Sequence, residues 1–219
     1  MPIGERAVRI SVEGGTLEGV LEIPEGARAI VLFAHGSGSS RHSPRNRLVA
    51  SALREVGLGT LLTDLLTPDE GTADAVTAHL RFDLALLGAR LLAVTDWVLR
   101  DHDTRGLRIG YFGASTGAAA ALIAAAERPA VGAIVSRGGR PDLAGDALAR
   151  VRAPTLLIVG ERDHTVLALN RDALRALQTE KELAIVPGAT HLFEEPGTLV
   201  AVALLARAWF VRYLAGTGE

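Results

Sequence analysis

The sequence predicts an α/β protein with a doubly wound, mostly parallel sheet that follows an N-terminal antiparallel hairpin. Two alternating segments, 6–12 and 16–23, flank the turn Glu13-Gly14-Gly15, as in a β-hairpin. Continuous apolar runs, such as AIVLFAHG at 29–36, are typical of strands that are buried on both faces. Helical segments separate these runs, and such alternation favours a parallel sheet with helices on both faces.

The remaining elements continue this alternation. Ser43 and Pro44 predict a helix over 44–56, because serine is a favoured N-cap and proline is tolerated at the first helical position. Further helices are predicted at about 79–100, 116–127, 142–150, 165–177 and 198–214, and further strands at 58–63, 107–112, 131–135, 154–159 and 182–186. No repeat, low-complexity segment or linker interrupts the pattern, so we expect one domain over residues 1–219.

Composition narrows the classes of function. The net charge is -2 and aromatic residues make up 4%, so the chain offers neither a basic excess for phosphates nor stacking platforms for bases. We therefore expect no nucleic-acid partner. The absence of cysteine excludes disulfides and thiolate chemistry. The N-terminus lacks an apolar signal segment and no apolar stretch is long enough to span a bilayer, so we expect a soluble, cytoplasmic protein with no membrane partner.

The strongest motif is Gly113-Ala114-Ser115-Thr116-Gly117, which matches G-x-S-x-G. An apolar strand precedes it and an alanine-rich helix follows without a break, which is the setting of a nucleophile elbow. Such a turn strains the serine backbone and exposes the hydroxyl, while the flanking glycines let strand and helix approach closely. The alternative is a glycine-rich turn whose serine caps the helix. The context favours Ser115 as a nucleophile.

A serine hydroxyl needs a base, and the base needs a carboxylate to fix its tautomer. Of six histidines, His191 lies in the loop after the last strand, at the sheet edge where catalytic groups gather. Asp163 follows the strand PTLLIV at the same edge. It could instead cap the helix over 165–177, and Asp142 is the substitute acid. We expect a triad of Ser115, Asp163 and His191.

Acyl transfer also needs hydrogen-bond donors for the oxyanion. The loop HGSGSS at 35–40 follows the first buried strand, and we assign the oxyanion hole to the backbone N–H groups of Ser37 and Thr116. In this interpretation His35 is structural, because its ring fixes the loop. A phosphate cradle is the rival use, but the loop lacks the Gly-Lys-Ser/Thr of a P-loop and the third glycine of a dinucleotide fingerprint.

Four segments, AIVLFAHGSGSS, GYFGASTGAAAAL, TLLIVGERD and PGATHLF, together resemble the α/β-hydrolase superfamily and its dienelactone hydrolase-like branch. The order Ser…Asp…His is that of this superfamily. Authentic dienelactone hydrolases use a cysteine nucleophile, which this chain lacks, so their substrate does not carry over. The resemblance implies a Ser–Asp–His carboxylic ester hydrolase that needs no cofactor and no metal.

The short connection before the strand that carries Asp163 indicates the size of the substrate. Many relatives insert a lid before the acid-bearing strand, whereas this chain has only Ser136 to Ala153 at that point. A site without a cap domain favours small esters or lactones over long-chain lipids.

Four arginines fall near the expected active face: Arg41, Arg45, Arg137 and Arg140. Of these, Arg41, Arg137 and Arg140 are our candidates for binding an anionic substrate group. The alternative is pairing with Asp142, Asp64 or solvent, because surface ion pairs are common.

Two other classes of function stay open. An amidase or peptidase could use the same triad, because leaving-group preference depends on pocket shape. A binding or regulatory module could also retain the fold, although its sign in the sequence would be a lost triad residue and all three are present. The expected partner is a small-molecule ester or lactone, and the sequence does not distinguish a monomer from a dimer.

Overall fold

The structure is a computed structural model that describes residues 3–214. Its strands are β1 (Ile3–Val12), β2 (Gly15–Ile23), β3 (Ala29–Ala34), β4 (Gly59–Thr63), β5 (Arg108–Ala114), β6 (Val131–Arg137), β7 (Thr155–Gly160) and β8 (Lys181–Val186). Its α-helices are α1 (Pro44–Arg54), α2 (Pro68–Thr77), α3 (Leu84–Arg100), α4 (Thr116–Glu127), α5 (His164–Ala176) and α6 (Thr198–Leu214). Two 3-10 segments, Leu80–Phe82 and Pro141–Arg150, complete the described elements.

The eight strands form one sheet in the order β1-β2-β4-β3-β5-β6-β7-β8. The hairpin strand β2 pairs antiparallel with both β1 and β4, whereas β3 to β8 run parallel to one another. The predicted fold class is therefore confirmed. Because the parallel strands share a direction, their carboxyl ends meet at one edge of the sheet, where α/β proteins bind their ligands.

Both faces of the sheet are covered, as the apolar runs predict. All six residues of β3 are buried, and its side chains alternate between two cores. Ile30 and Leu32 pack on the face with α3 and α4, while Val31 and Phe33 pack on the face with α1 and α6. Because β3 is buried on both faces, its sequence does not alternate between apolar and polar residues.

The segment between β4 and α3 differs from the prediction. A helix, α2, occupies 68–77, where none was predicted, and it begins with a capping box. Thr67 Oγ1 accepts the Glu70 N–H at 3.3 Å, and the Glu70 carboxylate accepts the Thr67 N–H at 2.8 Å. Asp74 is the one buried residue of α2, so the helix has no apolar stripe for periodicity to detect.

The predicted helix over 79–100 begins later than expected. Residues 80–82 form a 3-10 turn, and Asp83 accepts the Leu86 N–H at 3.0 Å as the N-cap of α3. An aspartate in this position ends the preceding turn and starts a new helix, so the predicted single helix was wrong in its first turn.

The connection between β6 and β7 contains no cap domain within the described chain. It holds the 3-10 segment Pro141–Arg150 in place of the short helix predicted near 142–150, and Gly145 interrupts that segment with φ of 51°. Across residues 3–214, no helix combines the length and apolarity needed to cross a bilayer.

Candidate active site

Ser115 lies in the sharp turn between β5 and α4. Its backbone adopts φ of 50° and ψ of -123°, a conformation that L-residues rarely take. It occupies the N-cap position of α4, yet its side chain makes no capping hydrogen bond. The hydroxyl is therefore not used by the helix, and the backbone strain is of the kind found at functional sites.

The turn requires glycine on both sides of Ser115. A Cβ on Gly117 would lie 2.2 Å from the carbonyl oxygen of Ala34, and one on Gly113 would lie 2.4 Å from the Cα of Ala118. Neither distance is sterically possible for carbon, so any side chain would force α4 away from β3 and β5. The close approach of these elements holds the serine above the end of the sheet.

His191 and Asp163 are hydrogen-bonded to each other. His191 Nδ1 lies 2.6 Å from Asp163 Oδ2, a hydrogen bond in which the Nδ1–H donates to the carboxylate and Nε2 is left at the other side of the ring. Asp163 occupies the N-cap position of α5 but makes no capping bond. Its side chain is 13% exposed and that of His191 is 39% exposed, so the carboxylate is shielded while the imidazole stays accessible.

Backbone contacts hold the two loops that carry this pair. The Arg162 N–H donates to the Ala189 carbonyl at 2.9 Å, and a Cβ on Gly160 would lie 2.4 Å from the same oxygen. Glu195 accepts the Thr190 N–H at 3.1 Å, and its hydrogen bonds with Thr190 hold the pKa of its carboxyl below the ordinary value. Glu195 orders the loop around His191, although it is not among the site residues predicted from the sequence.

The end of β6 lies between Ser115 and His191. The Ser115 N–H donates to the Arg137 carbonyl at 3.3 Å. A Cβ on Gly138 would lie 3.6 Å from His191 Cε1, and Gly138 itself has φ of 51°. The nucleophile candidate and the base candidate therefore contact the same two-residue segment.

The loop after β3 abuts the serine from the other side. A Cβ on Gly36 would lie 2.9 Å from Ser115 Cβ, and the Ser37 N–H donates to Thr116 Oγ1 at 3.0 Å. The His35 ring holds this loop, because Nδ1–H donates to the Gly36 carbonyl at 2.9 Å and Nε2 accepts the Leu65 N–H at 3.3 Å. The two residues predicted to form the oxyanion hole, Ser37 and Thr116, are thus neighbours.

Two of the three candidate arginines are in ion pairs. Arg41 donates its backbone N–H to Asp64 Oδ1 at 2.7 Å, and its guanidinium pairs with Asp64 and with Glu18 Oε2, the latter at 2.7 Å. Arg140 binds Asp142 through two hydrogen bonds of 2.9 and 2.8 Å, which raise the pKa of Arg140. Asp142, the substitute acid, is thereby bonded to Arg140.

Arg137 differs from the other two. It is buried at the end of β6, and no carboxylate in the described part of the chain forms an ion pair with it. Its guanidinium lies 6.0 Å from the centre of the Phe193 ring.

A cavity of about 540 Å³ opens beside Ser37 and Thr116. Its wall is formed by the loop after β3 and by the segment that holds α2 and the following 3-10 turn, with Glu18, Asp64, Asp74 and Arg81 as charged members besides Arg41. Burial opposes ionisation of Asp74, but its hydrogen bonds and ion pair with Arg81 hold the pKa of Asp74 below the ordinary value. No group of three or more metal-ligating side chains occurs among residues 3–214.

Comparison with known proteins agrees with the fold. The sequence profile of the dienelactone hydrolase family matches residues 17–209. The crystal structure of a dienelactone hydrolase from Anabaena variabilis is 62% identical, with a TM-score of 0.95 over 97% of this chain and 99% of that one. Est1E from Butyrivibrio proteoclasticus, 18% identical, shares the fold with a TM-score of 0.80 over 96% of this chain and 99% of that chain.

A Mycobacterium tuberculosis protein with the provisional name phosphoribosyl transferase is 55% identical over 218 residues. The match covers 99% of this chain and 48% of that protein, so the chain spans about half the length of the curated relatives it matches. The profile match and the Anabaena structure both extend over most of the chain. The chain therefore belongs to the dienelactone hydrolase family and has the α/β-hydrolase fold.

Proposed function

We propose that this chain hydrolyses small carboxylic esters or lactones, with Ser115, His191 and Asp163 as its catalytic triad. The observation that carries the proposal is the 2.6 Å hydrogen bond between His191 and Asp163. Asp163 makes this bond although it stands at a helix N-cap, where capping is the ordinary use of an aspartate. Ser115, whose hydroxyl caps no helix, lies in the strained turn after β5, and only β6 separates that strand from β7, the strand that precedes Asp163.

Acylation follows from these positions. Ser115 Oγ attacks the carbonyl carbon of the ester while His191 Nε2 takes the hydroxyl proton. Asp163 keeps the proton on Nδ1 and stabilises the imidazolium that forms. The carbonyl oxygen becomes an oxyanion, which we assign to the N–H groups of Ser37 and Thr116. The tetrahedral intermediate collapses, His191 protonates the leaving alkoxide, and the acyl group stays on Ser115.

Deacylation repeats these steps with water. His191 Nε2 takes a proton from water, the hydroxide attacks the acyl carbon, and the second tetrahedral intermediate expels Ser115 Oγ, which regains its proton from His191. The products are a carboxylic acid and the alcohol released earlier, or a hydroxy acid when the substrate is a lactone. Every proton is carried by a residue of this chain, so the proposed mechanism includes no cofactor.

Amide hydrolysis is the alternative chemistry on the same triad, and a non-catalytic binding role is the alternative outside enzymology. The name phosphoribosyl transferase belongs to proteins about twice as long as this chain. A hydrolase is favoured over a binding role because the bonded pair of His191 and Asp163 serves no structural cap, and an ester or lactone is favoured over an amide because the chain belongs to the dienelactone hydrolase family.

Labelling with a fluorophosphonate tests the proposal, because the reagent modifies only an activated serine. We expect one adduct, on the peptide that contains Ser115. Ser115→Ala should remove labelling and lower ester hydrolysis by about 10³-fold or more, while its thermal unfolding stays cooperative. Ser51→Ala, at an exposed position of α1, is the matched control and should behave as the wild type.

A panel of p-nitrophenyl esters, lactones and anilides then separates the alternatives. Faster turnover of anilides than of matched esters would favour an amidase. Full activity of Ser115→Ala would reject the triad, and absence of both labelling and turnover in the wild type would favour the binding role.

A further inference from the structure

Asn170 is a fully buried asparagine in α5, the helix whose N-cap position is occupied by Asp163. Its Nδ2 group donates two hydrogen bonds, to the carbonyl oxygen of Gly139 at 2.9 Å and to that of Val166 at 2.8 Å. Val166 lies in the first turn of α5, whereas Gly139 lies in the loop after β6. Because Gly139 is itself buried, its carbonyl depends on a protein donor such as this one. The Asn170 side chain therefore joins the helix that follows Asp163 to that loop.

The other half of the Asn170 amide is unpaired. Its Oδ1 is buried and has no hydrogen-bond partner within residues 3–214. A buried oxygen without a donor costs free energy, which an apolar side chain of similar size would avoid. The asparagine is therefore explained by its two N–H donors and not by packing, and its role depends on what those donors hold in place.

The segment that Asn170 holds, residues 138–140, is bonded to the turn of the candidate nucleophile. The Arg140 N–H donates to the Ser115 carbonyl at 3.1 Å, and the Ser115 N–H donates to the carbonyl of Arg137, just before the segment, at 3.3 Å. Ser115 has φ of 50°, and an unfavourable backbone conformation persists only where the surrounding structure holds it. Asn170 therefore braces, through Gly139, the loop that holds the strained serine.

The same segment also adjoins the other two members of the proposed triad. A Cβ on Gly138 would lie 3.1 Å from the His191 carbonyl oxygen and 3.6 Å from His191 Cε1, so Gly138 packs directly against this histidine. The Asp163 carbonyl accepts the Leu167 N–H at 2.8 Å, which ties Asp163 to the helix that carries Asn170. One side chain thus links the elements on which all three residues lie.

We propose that Asn170 is a positioning residue, whose amide fixes the Ser115 turn relative to His191 and Asp163 by holding Gly139. The inference rests on the proposed ester hydrolysis, since it concerns the geometry of the same triad. A nucleophile that is displaced from its base loses rate in the chemical step, whereas binding of the substrate is affected less.

Asn170→Leu tests the proposal, because leucine is similar in size but donates no hydrogen bond. We expect kcat for p-nitrophenyl acetate to fall about tenfold or more, while KM changes by less than about threefold. Labelling of Ser115 by a fluorophosphonate should slow with kcat, because it depends on the same alignment. Wild-type kcat and a wild-type labelling rate in Asn170→Leu would overturn the inference.

Asn170→Ser separates the two hydrogen bonds and serves if Asn170→Leu does not fold. A helical serine donates to the carbonyl four residues earlier, here that of Val166, so this variant keeps one bond and leaves Gly139 without its donor. We expect kcat to fall here as well, with KM little changed. A kcat equal to that of the wild type would show that the bond to Gly139 does not matter.

Thr104→Val is the matched control for the loss of a buried hydrogen bond. Thr104 is fully buried, and its hydroxyl donates to the Val98 carbonyl at 2.6 Å. It precedes β5 and so lies at the opposite end of that strand from Ser115. Thr104→Val should lower the unfolding temperature but keep kcat within about threefold of the wild type, with all kinetics measured well below the unfolding transitions. Equal losses of kcat in Thr104→Val and Asn170→Leu would reject the positioning role.

Amide hydrogen exchange, measured by NMR, distinguishes this inference from the proposed function because it needs no turnover. The amides of Ser115 and Arg140 should exchange faster in Asn170→Leu than in the wild type, whereas those of the hairpin β1–β2 should not change. If the wild type neither hydrolyses esters nor is labelled, the proposed function fails, and exchange alone decides whether Asn170 holds the Ser115 turn. Unchanged exchange at both amides would overturn the inference.

Discussion

The backbone N–H of Ser37 donates a hydrogen bond to the hydroxyl of Thr116 across 3.0 Å. These residues supply the two N–H groups of the proposed oxyanion hole, and the bond links the loop after β3 directly to the start of α4. Thr116 is buried and follows Ser115, so its hydroxyl is well placed to hold the Ser37 amide near the nucleophile. The Thr116 hydroxyl therefore positions the Ser37 N–H. This role is separate from that of the Thr116 backbone N–H, which is itself a proposed oxyanion donor.

Thr116→Val tests this relationship, because valine keeps the shape but cannot accept the Ser37 N–H. We expect kcat to fall about tenfold or more with a smaller change in KM, since a poorly placed donor weakens binding of the transition state most. Thr116→Ser keeps an acceptor and should stay within about threefold of the wild type. A higher kcat for Thr116→Val would show instead that the hydroxyl competes with the oxyanion for the same donor.

Asp163→Asn should reduce kcat by about 10³-fold or more, because an amide no longer fixes the imidazole tautomer or stabilises its charged form. Thermal stability should change little, since Asp163 makes no capping bond to α5. Asp142→Asn is the matched control, because Asp142 binds Arg140 instead. Steady-state kinetics with p-nitrophenyl acetate measure both variants. If Asp163→Asn keeps nearly wild-type activity and Asp142→Asn loses it, Asp142 would be the acid of the triad.

Short acyl chains should be preferred over long ones. The connection between β6 and β7 contributes a single 3-10 segment, and charged side chains line the cavity beside Ser37. Extra methylenes would gain little where they cannot reach a continuous apolar surface. We expect kcat/KM for acetyl to butyryl p-nitrophenyl esters to exceed that for dodecanoyl esters, measured below micelle-forming concentrations. A maximum at twelve carbons or beyond would require an apolar tunnel.

Tyr111 should make the fold sensitive to alkali. Its hydroxyl donates to Thr95 Oγ1 at 2.6 Å, because the single hydroxyl proton of Thr95 goes to the Leu91 carbonyl. Burial raises the pKa of Tyr111 from 10.0 to about 12, so the unfolded chain releases this proton at lower pH than the folded chain. The contribution of protonated Tyr111 to the free energy of unfolding is complete below pH 10 and is lost as the pH rises toward 12.

Urea unfolding at pH 8 and pH 11 measures this linkage. The wild type should lose about 1 kcal/mol more of its unfolding free energy over this interval than Tyr111→Phe does. Tyr111→Phe should itself be less stable at pH 8, because it leaves Thr95 without its donor. If the unfolding free energies of the two proteins change equally with pH, Tyr111 has the same pKa in the folded and the unfolded chain.

Much of this architecture follows from patterns between near neighbours in the chain. The alternation of 6–12 and 16–23 indicates the hairpin, and the continuous apolar runs indicate strands buried on both faces. Such patterns are visible in the sequence because a strand or helix buries the same face at every repeat. Helix α2 was not predicted, because Asp74 is its one buried residue and it therefore has no repeated apolar face. Thr67, Pro68 and Glu70 nevertheless mark its start.

The sequence by itself determined the parallel sheet and the edge at which Ser115, Asp163 and His191 lie. It left Asp163 with two possible uses, and it left Arg41, Arg137 and Arg140 with alternative partners, either an anionic substrate group or Asp142, Asp64 and solvent. Only the tertiary structure decided between these partners. It pairs Asp163 with His191, and Arg41 and Arg140 with carboxylates, while Arg137 has no ion pair with a described carboxylate. The physical reason is that a charged side chain selects its partner by distance in space, and Asp163 and His191 are 28 residues apart in the chain.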